Sequence, residues 1–308
     1  MVRPGAICFR EADRSMKVYL LIPTKNRKDL AVKCLASLKK QTCRNFDIVF
    51  IDDGSTDETA KALRKIDSEV IILRGDGNLW WCGSVRMGVD YILNLSKPGD
   101  FIVIQNDDTY MQPDYLQVLM DESVRHGRMV LGTPNVDFES NQLIYNSHRI
   151  GKLGAIGPAI VISSEDILET DTLSGRGAII PIEVFGVTGN FSKLFPHYAA
   201  DYDFFFRAKR AGFKVAVTTK VITYSTSLQP NLSRRIKSKK PPTFRDMIDL
   251  FFDRRSSDNL WATILVTFLH SPWPYKLFGI GRRFLFVLKF LFYDYLLGNL
   301  WAVVKQSA

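Results

Sequence analysis

The sequence predicts an α/β protein: a mostly parallel central sheet with flanking helices, followed by a C-terminal helical appendage. Three observations carry this. Short apolar runs alternate with helix-period stretches through the first half, as successive βαβ units require. Acid-rich polar loops follow the apolar runs, where an open parallel sheet places its ligands. Beyond Ser225 the alternation gives way to a basic stretch and then to apolar helical segments. With 308 residues, 46% hydrophobic and 24% charged, the chain has the composition of an ordinary globular protein and can bury a substantial core.

The elements follow in order. "VYLLIP" (18–23) reads as a buried strand ended by Pro23, and 29–40 as a helix with Leu30, Cys34, Leu35 and Leu38 on one face. "DIVFID" (47–52) is the second strand, after which "STDE" (55–58) has the form of a capping box opening a helix that runs to about Lys65. "EVIIL" (69–73) is a third strand, 84–95 a third helix, and "FIVIQ" (101–105) a fourth strand, with a proline-opened helix from Pro113 to about Arg125. Between 128 and 190, "RMVLGTP" and "GAIIP" read as strands and "NQLIYNSHRI" as a hairpin or edge strand. "ADYDFFFRAKRA" (200–211) is a helix closed by Gly212, followed by strands "FKVAVT" and "KVITYS". "SRRIKSKKPP" is a basic linker leading to helices near 244–255, 259–270 and 282–304. The expected organisation is a lead segment 1–16, an α/β domain 17–228 and a basic linker with a C-terminal helical region 229–308.

Charge is unevenly distributed. From Ser225 onward 13 Lys/Arg face 5 Asp/Glu (+8), leaving 28 against 27 (+1) for the rest. A near-neutral body with a cationic arm suits anionic lipid heads or nucleic acid, the alternative being a solvated basic face; the expected partner is an anionic membrane and not nucleic acid. Cys8, Cys34, Cys43 and Cys82 lack zinc-like or disulfide-framework spacing, which fits a reducing cytoplasm. Arg3, Arg10 and Arg14 surround an apolar patch, Ala6 to Phe9, too brief for a signal-peptide core.

The chemistry gathers at the strand exits: "TKNR" (24–27), "DDGSTD" (52–57), "RGDGNLWW" (74–81) and "NDDT" (106–109). Asp107 and Asp108 can hold Mg2+ or Mn2+, since hard cations take carboxylate oxygens and complete their shell with water and phosphate; the alternative is a pair of ordinary turn acids. Asp52 and Asp53 offer acceptors for a base imide or ribose hydroxyl, or simply serve the turn at Gly54. Of Trp80 and Trp81, one packs as core and the other faces a sugar. "HYAADYDF" sets Asp201 and Asp203 at a helix start beside His197, where the dipole favours ionised carboxylates suited to a general base or to capping alone. "SGRG" (174–177) reads as an anion-seeking loop carrying Arg176.

Taken together, these loops resemble those of a family 2 glycosyltransferase of the GT-A fold, over roughly residues 17–224. "IPTKNR" and "IDDGSTDET" are similar to its nucleotide-binding half, which implies donor-nucleotide contacts from Pro23, Thr24, Asn26, Arg27, Asp52, Asp53, Asn78 and Asp107. "QNDDTYMQPDYL" resembles its D-x-D region with Asn106 in the first place, implying metal ligation by Asp108 with Asp107. "ADYDFFFRAKRAG" resembles its E-D-x-D-L-x-x-R helix, with Ala200 in the glutamate's place and Asp201 on the catalytic base. "GNLWWCGSVRMG" and "LSGRG…FPHYAADY" are similar to the rhamnosyltransferase-like subset, implying sugar or acceptor contacts from Trp80, Trp81, Arg176, His197 and Asp203. The resemblance implies inverting transfer from a nucleoside-diphosphate sugar to a saccharide or lipid-linked acceptor in cell-surface polysaccharide synthesis. A non-catalytic nucleotide-sugar or saccharide-binding module is the alternative. A nucleotidyltransferase would carry glycines where "PTKNR" has none, and a dinucleotide enzyme would need a third glycine where Trp80 stands in "GDGNLW".

In "RRFLFVLKFLFYDYLLGNLWAVV" (282–304), Lys289 and Asp294 would each cost about 2.5 to 3.5 kcal/mol at a bilayer centre. The longest uncharged run is well short of the ~20 residues a span needs. The expectation is an interfacial arm on the inner face of the cell membrane, with packing on the body or homo-oligomer formation as alternatives.

Overall fold

The computed structural model describes residues 16–145, 147–150, 156–159, 165–225, 232–239 and 241–301. Residues 1–15 of the lead segment, with its apolar patch, lie outside the described residues, as does the end of the 282–304 stretch.

The first half is the expected alternation: β1 (Val18–Thr24), α1 (Lys28–Leu38), β2 (Phe46–Asp52), α2 (Thr59–Ile66), β3 (Ile71–Arg74), α3 (Trp80–Leu93), β4 (Phe101–Ile104), β5 (Thr109–Met111) and α4 (Tyr115–Arg125). The second half contains β6 (Val130–Gly132), β7 (Asn135–Asp137), β8 (Leu143–Tyr145), β9 (Ser147–Ile150), β10 (Ile156–Ala159), β11 (Ile167–Glu169), β12 (Ala178–Pro181), α5 (Ile182–Thr188), α6 (Ala200–Arg210), β13 (Val215–Thr218) and β14 (Thr223–Ser225). The C-terminal helices are α7 (Leu232–Ser238), α8 (Phe244–Phe252), α9 (Leu260–His270) and α10 (Tyr275–Lys289), which continues through a π-helical segment, Phe290–Leu297, to Trp301.

Eight strands form the main sheet in the order β11-β13-β6-β12-β4-β1-β2-β3. The block β3-β2-β1-β4 is parallel, with Leu20 opposite both Ile48 and Val103. β12 then runs antiparallel between β4 and β6. Alternate side chains of β1 bury on opposite faces: Tyr19 and Leu21 pack with α3 and α6, while Val18, Leu20 and Ile22 pack with α1 and α4. Burial on both faces is why this strand reads as an unbroken apolar run. α3 approaches the sheet so closely at Gly88 that a Cβ there would overlap the Leu21 side chain. A four-stranded sheet, β5-β14-β7-β8, stands beyond the exit of β4. It begins with Thr109, immediately after the paired acids, so the acids occupy the bend between two sheets.

Several expectations need correction. Ser55 and Glu58 do not form a capping box: the Ser55 hydroxyl accepts the Asn26 amide, Glu58 sits at φ +65° and pairs with Lys61, and Asp57 accepts from the Thr59 amide instead. α3 starts at Trp80, four residues earlier than the spacing indicated, because the Asp53 carboxylate caps its first amides from another loop. Of the two alternatives for "NQLIYNSHRI", the hairpin fails and the edge strand holds: β8 pairs with β7 at the edge of the second sheet, and β9 pairs with β10. The basic linker contains helix α7, whose Ile236 packs with Met247, Leu250, Phe251 and Phe290. The last helix begins at Tyr275 and is continuous for 27 residues, long enough by length and composition to cross a membrane, although Arg282, Arg283, Lys289 and Asp294 divide it.

Candidate active site

The exits of β1, β2, β3 and β4 open on one cleft of about 1640 Å³, closed on its other sides by the 174–176 loop, the start of α6 and the C-terminal helices. The paired acids sit here because β4, buried along its whole length, must release the chain where the second sheet begins. Asp107 accepts from Thr24 Oγ1 at 2.7 Å and from Arg27 Nη1 at 2.7 Å. Asp108 accepts from Arg27 Nη2 at 3.0 Å and lies 3.4 Å from Arg176 Nη2. One guanidinium thus bridges both carboxylates and a second approaches from the opposite side. Burial pushes Asp107 up to about 6, against the pull of Arg27. For Asp108 burial acts the same way, but Arg176 and Arg27 together outweigh it and hold the carboxyl below its ordinary value. One of the pair is therefore firmly ionised and the other poised.

Asp201, in the first turn of α6, reaches the same cleft. Its Oδ2 accepts the Gly175 amide and its Oδ1 the Tyr202 amide, both at 3.0 Å. Although part of its surface opens to the cleft, burial raises its pKa to about 6, partly opposed by those amides. The 174–177 loop explains this placement. A Cβ on Gly175 would stand 2.5 Å from the Trp81 ring and 3.5 Å from Asp201 Cβ, so only glycine lets the loop pass between them. The same loop aims Arg176 at Asp108 and at Ser225 Oγ, 3.2 Å away. The Gly175 amide was not singled out from sequence; the glycines flanking Arg176 were its only signal.

The other expected residues divide. Pro23, Thr24, Arg27, Asp53, Trp80, Trp81, Arg176 and His197 line the cleft with Asp107, Asp108 and Asp201. Trp81 packs against Phe191 and donates its indole N–H to Asn106 Oδ1 at 3.1 Å. Trp80 stands edge-on to His197, with Arg254 over its ring. His197 is pushed down to about 4 by burial, and its Nδ1 is buried without a hydrogen-bond partner among the described residues. Asn26, Asn78 and Asp52 are not part of the lining. Asn26 accepts the Thr56 amide, tying the first loop to the second, and Asn78 is exposed. Asp52 Oδ1 takes the Ser55 amide, while its Oδ2 is buried without a partner. Asp53 faces the cleft but spends its carboxylate on the amides of Gly77, Leu79 and Trp80. Asp203 points away from the cleft: it pairs with Arg207 at 2.9 Å and His270 at 3.0 Å, fastening α9 to α6.

Among the described residues no three His, Cys, Asp or Glu side chains converge as a ready-made metal cage. The donor set at Asp107 and Asp108 is oxygen only, which suits a hard cation held by one or two carboxylates together with phosphate oxygens.

Comparison with known proteins agrees with this architecture. Residues 19–195 match the family model described as Glycosyl transferase family 2. The chain is 24% identical over 138 residues to Glycosyltransferase GlyA of Streptococcus pneumoniae, covering 44% of this chain but 19% of that protein. The structure of S. aureus TarS 1-349 in complex with UDP superposes with a TM-score of 0.55 at 16% identity, over 90% of this chain and 72% of that one. A structure of GalNAc-T7 with UDP, GalNAc and Mn2+ does so at 0.58 and 11% identity, over 81% and 50% respectively. Both share the GT-A fold. With the family model matching more than half of its length, the chain belongs to glycosyl transferase family 2.

Proposed function

We propose that this protein is an inverting glycosyltransferase that moves a hexosyl or deoxyhexosyl group from a nucleoside-diphosphate sugar to a saccharide or lipid-linked saccharide in cell-surface polysaccharide synthesis. The observation that carries it is the convergence in one cleft of two kinds of acid: the arginine-bridged Asp107/Asp108 pair and the isolated, amide-held Asp201. In this reading the acceptor hydroxyl oxygen attacks the anomeric carbon from the face opposite the diphosphate. The anomeric C–O bond to phosphate breaks, the nucleoside diphosphate leaves with that electron pair, and Asp201 takes the hydroxyl proton. A base with a pKa of about 6 is mostly ionised at neutral pH yet basic enough to receive a proton.

Asp108, with Asp107, would hold Mg2+ or Mn2+, which as a Lewis acid neutralises charge on the departing diphosphate. Arg27 and Arg176 stand where they can meet phosphate oxygens, exchanging their carboxylate partners for the incoming anion. Trp80 and His197 would border the sugar or acceptor. The cationic C-terminal arm would keep the enzyme peripherally on the cytoplasmic face of the membrane.

The test is nucleoside diphosphate release from a panel of UDP-, dTDP- and GDP-sugars with Mn2+ or Mg2+. One donor should be turned over, and its nucleotide should raise thermal stability by about 2.7 kcal/mol at a hundredfold excess over Kd. Tight binding with no release from any donor would favour the binding-module reading instead.

A further inference from the structure

Three segments far apart in sequence meet on the indole of Trp81. The first turn of α3 presents the ring, and the exit of β4 receives its N–H at Asn106 Oδ1, 3.1 Å away. The 174–177 loop lies against its six-membered ring, where a Cβ on Gly175 would stand 2.5 Å from Cζ2 and 2.6 Å from Cη2. Phe191 closes another side, edge-on with ring centroids 5.9 Å apart. An indole N–H can only donate, so it holds Asn106 with the side-chain oxygen turned toward Trp81. Asn106 immediately precedes the paired acids, and its backbone carbonyl accepts Thr109 Oγ1 at 2.7 Å, so the whole Asn-Asp-Asp turn is fastened at its start.

On the other side of the loop stands Asp201. The Gly175 amide donates to its Oδ2 at 3.0 Å, and the next residue, Arg176, reaches to 3.4 Å from Asp108. Adjacent residues of one loop therefore hold the lone acid and one of the paired acids. The loop is anchored just beyond them, where the Gly177 amide donates to the Ile104 carbonyl at 3.0 Å and Tyr115 and Thr133 leave no room for a Cβ. At the Gly175 end it is pressed between the indole and Asp201 Cβ, the latter 3.5 Å from a Cβ placed there. With its N–H given to Asn106 and its six-membered ring against Gly175, Trp81 is committed to protein on both counts.

We propose that Trp81 is a positioning residue for both ends of the reaction. Through Asn106 it fixes the turn that carries Asp107 and Asp108, and through Gly175 it fixes the carboxylate of Asp201. The indole acts as the spacer between the place where the diphosphate departs and the place where the acceptor's proton goes. Such spacing matters because a misplacement of about 1 Å can cost about 10²-fold in rate. The inference rests on the transferase reading and gives Trp81 a task other than the sugar contact expected of it.

The experiment is a two-residue cycle in the full chain. Nucleoside diphosphate release is followed with Mn2+ from UDP-glucose, UDP-N-acetylglucosamine, dTDP-rhamnose and GDP-mannose, water serving as acceptor where none is supplied. Calorimetry gives the affinity for each intact donor and for its nucleoside diphosphate. Gly175→Ala inserts the methyl group that the indole excludes; Trp81→Phe removes the N–H together with the ring atoms that meet Gly175. Gly175→Ala alone should lower kcat about a hundredfold, with KM and both affinities within about twofold of the parent. Trp81→Phe alone should lower kcat about tenfold at unchanged affinities, for the lost hydrogen bond and the slackened loop. In the Trp81→Phe background, adding Gly175→Ala should change kcat by about threefold or less, because residues in contact do not act additively.

Additive losses in kcat would show that the indole does not set the loop. A Trp81→Phe variant that loses affinity for the intact donor but keeps it for the nucleoside diphosphate would make Trp81 a sugar contact. Either result overturns the proposal, as does a parent-like kcat in both single variants. If Gly175→Ala does not fold, Trp81→Phe decides alone: lowered kcat at unchanged affinities supports the proposal, and parent-like kcat or weakened donor affinity overturns it. Release by the parent from none of the donors would overturn the transferase reading and this inference with it, whereas release by the parent with additive variants overturns this inference only.

Discussion

The β1–β4 body and helix α10 are both rich in large apolar side chains, yet they dispose of them in opposite ways. In the body, Leu20, Leu21, Ile22, Phe50 and Phe101 are fully buried between helices on both faces of the sheet. Along α10 and its continuation, Leu285 is 66% and Trp301 64% exposed. The body's hydrophobicity is consumed by its own fold; the helix's stays exposed. Charge follows the same division. Body acids are matched to arginines at close range, as at Asp107/Asp108 and Asp203, whereas the described C-terminal residues lining the cleft include five cations and one acid.

This contrast can be broken or sharpened in graded steps. The largest effect should come from Asp201→Asn, which leaves the fold and the arginine-bridged acids in place. Turnover should drop about 10²- to 10⁴-fold while nucleotide binding by calorimetry persists. Loss of binding would mean that Asp201 serves the donor rather than the acceptor. Next comes the joint between the regions. Asp203→Ala strands Arg207 and His270 and should cost about 3 to 5 kcal/mol in denaturant unfolding. Arg207 and His270 hold the Asp203 pKa below its ordinary value, against burial, so its contribution is present above the usual carboxylate range and disappears as pH falls through the folded value. Gly88→Ala should cost about 1 to 3 kcal/mol, because the body has no slack between α3 and Leu21. The smallest effect should be Leu285→Asp on α10: unfolding within about 0.5 kcal/mol of the parent, with reduced vesicle retention. A large stability loss there would show that α10 is covered, and the contrast would fail.

What was legible in the sequence follows the same physics. Fully buried strands announce themselves as apolar runs, and the loops at their exits as acid clusters, so β1 to β4 and the grouping of Thr24, Arg27, Asp107 and Asp108 could be read directly; Asp201, at a helix start, joined that group only through the family resemblance. Non-local capping could not. Asp53 looks like a ligand contact, but it holds the start of α3 from a different loop, which also explains why that helix begins at Trp80. Asp203 shares the helix start with Asp201 but faces the opposite way, and the helical phase that separates them shows only once His270 of α9 is seen across from it. The role of Gly175 depends on the Trp81 ring lying against it, a contact between residues far apart in sequence.

The central claim is that Asp201, raised to about 6 by burial, accepts the acceptor's proton. The direct measurement is kcat/KM for nucleoside diphosphate release in the presence of acceptor, followed from mildly alkaline to acid pH. With metal saturating, so that a bound cation would keep Asp107 ionised, the account predicts a rate that falls below about pH 6 as one proton is taken up, with no such limb in the residual activity of Asp201→Asn. A profile that stays flat through that range, or an acid limb that survives the substitution, would contradict it.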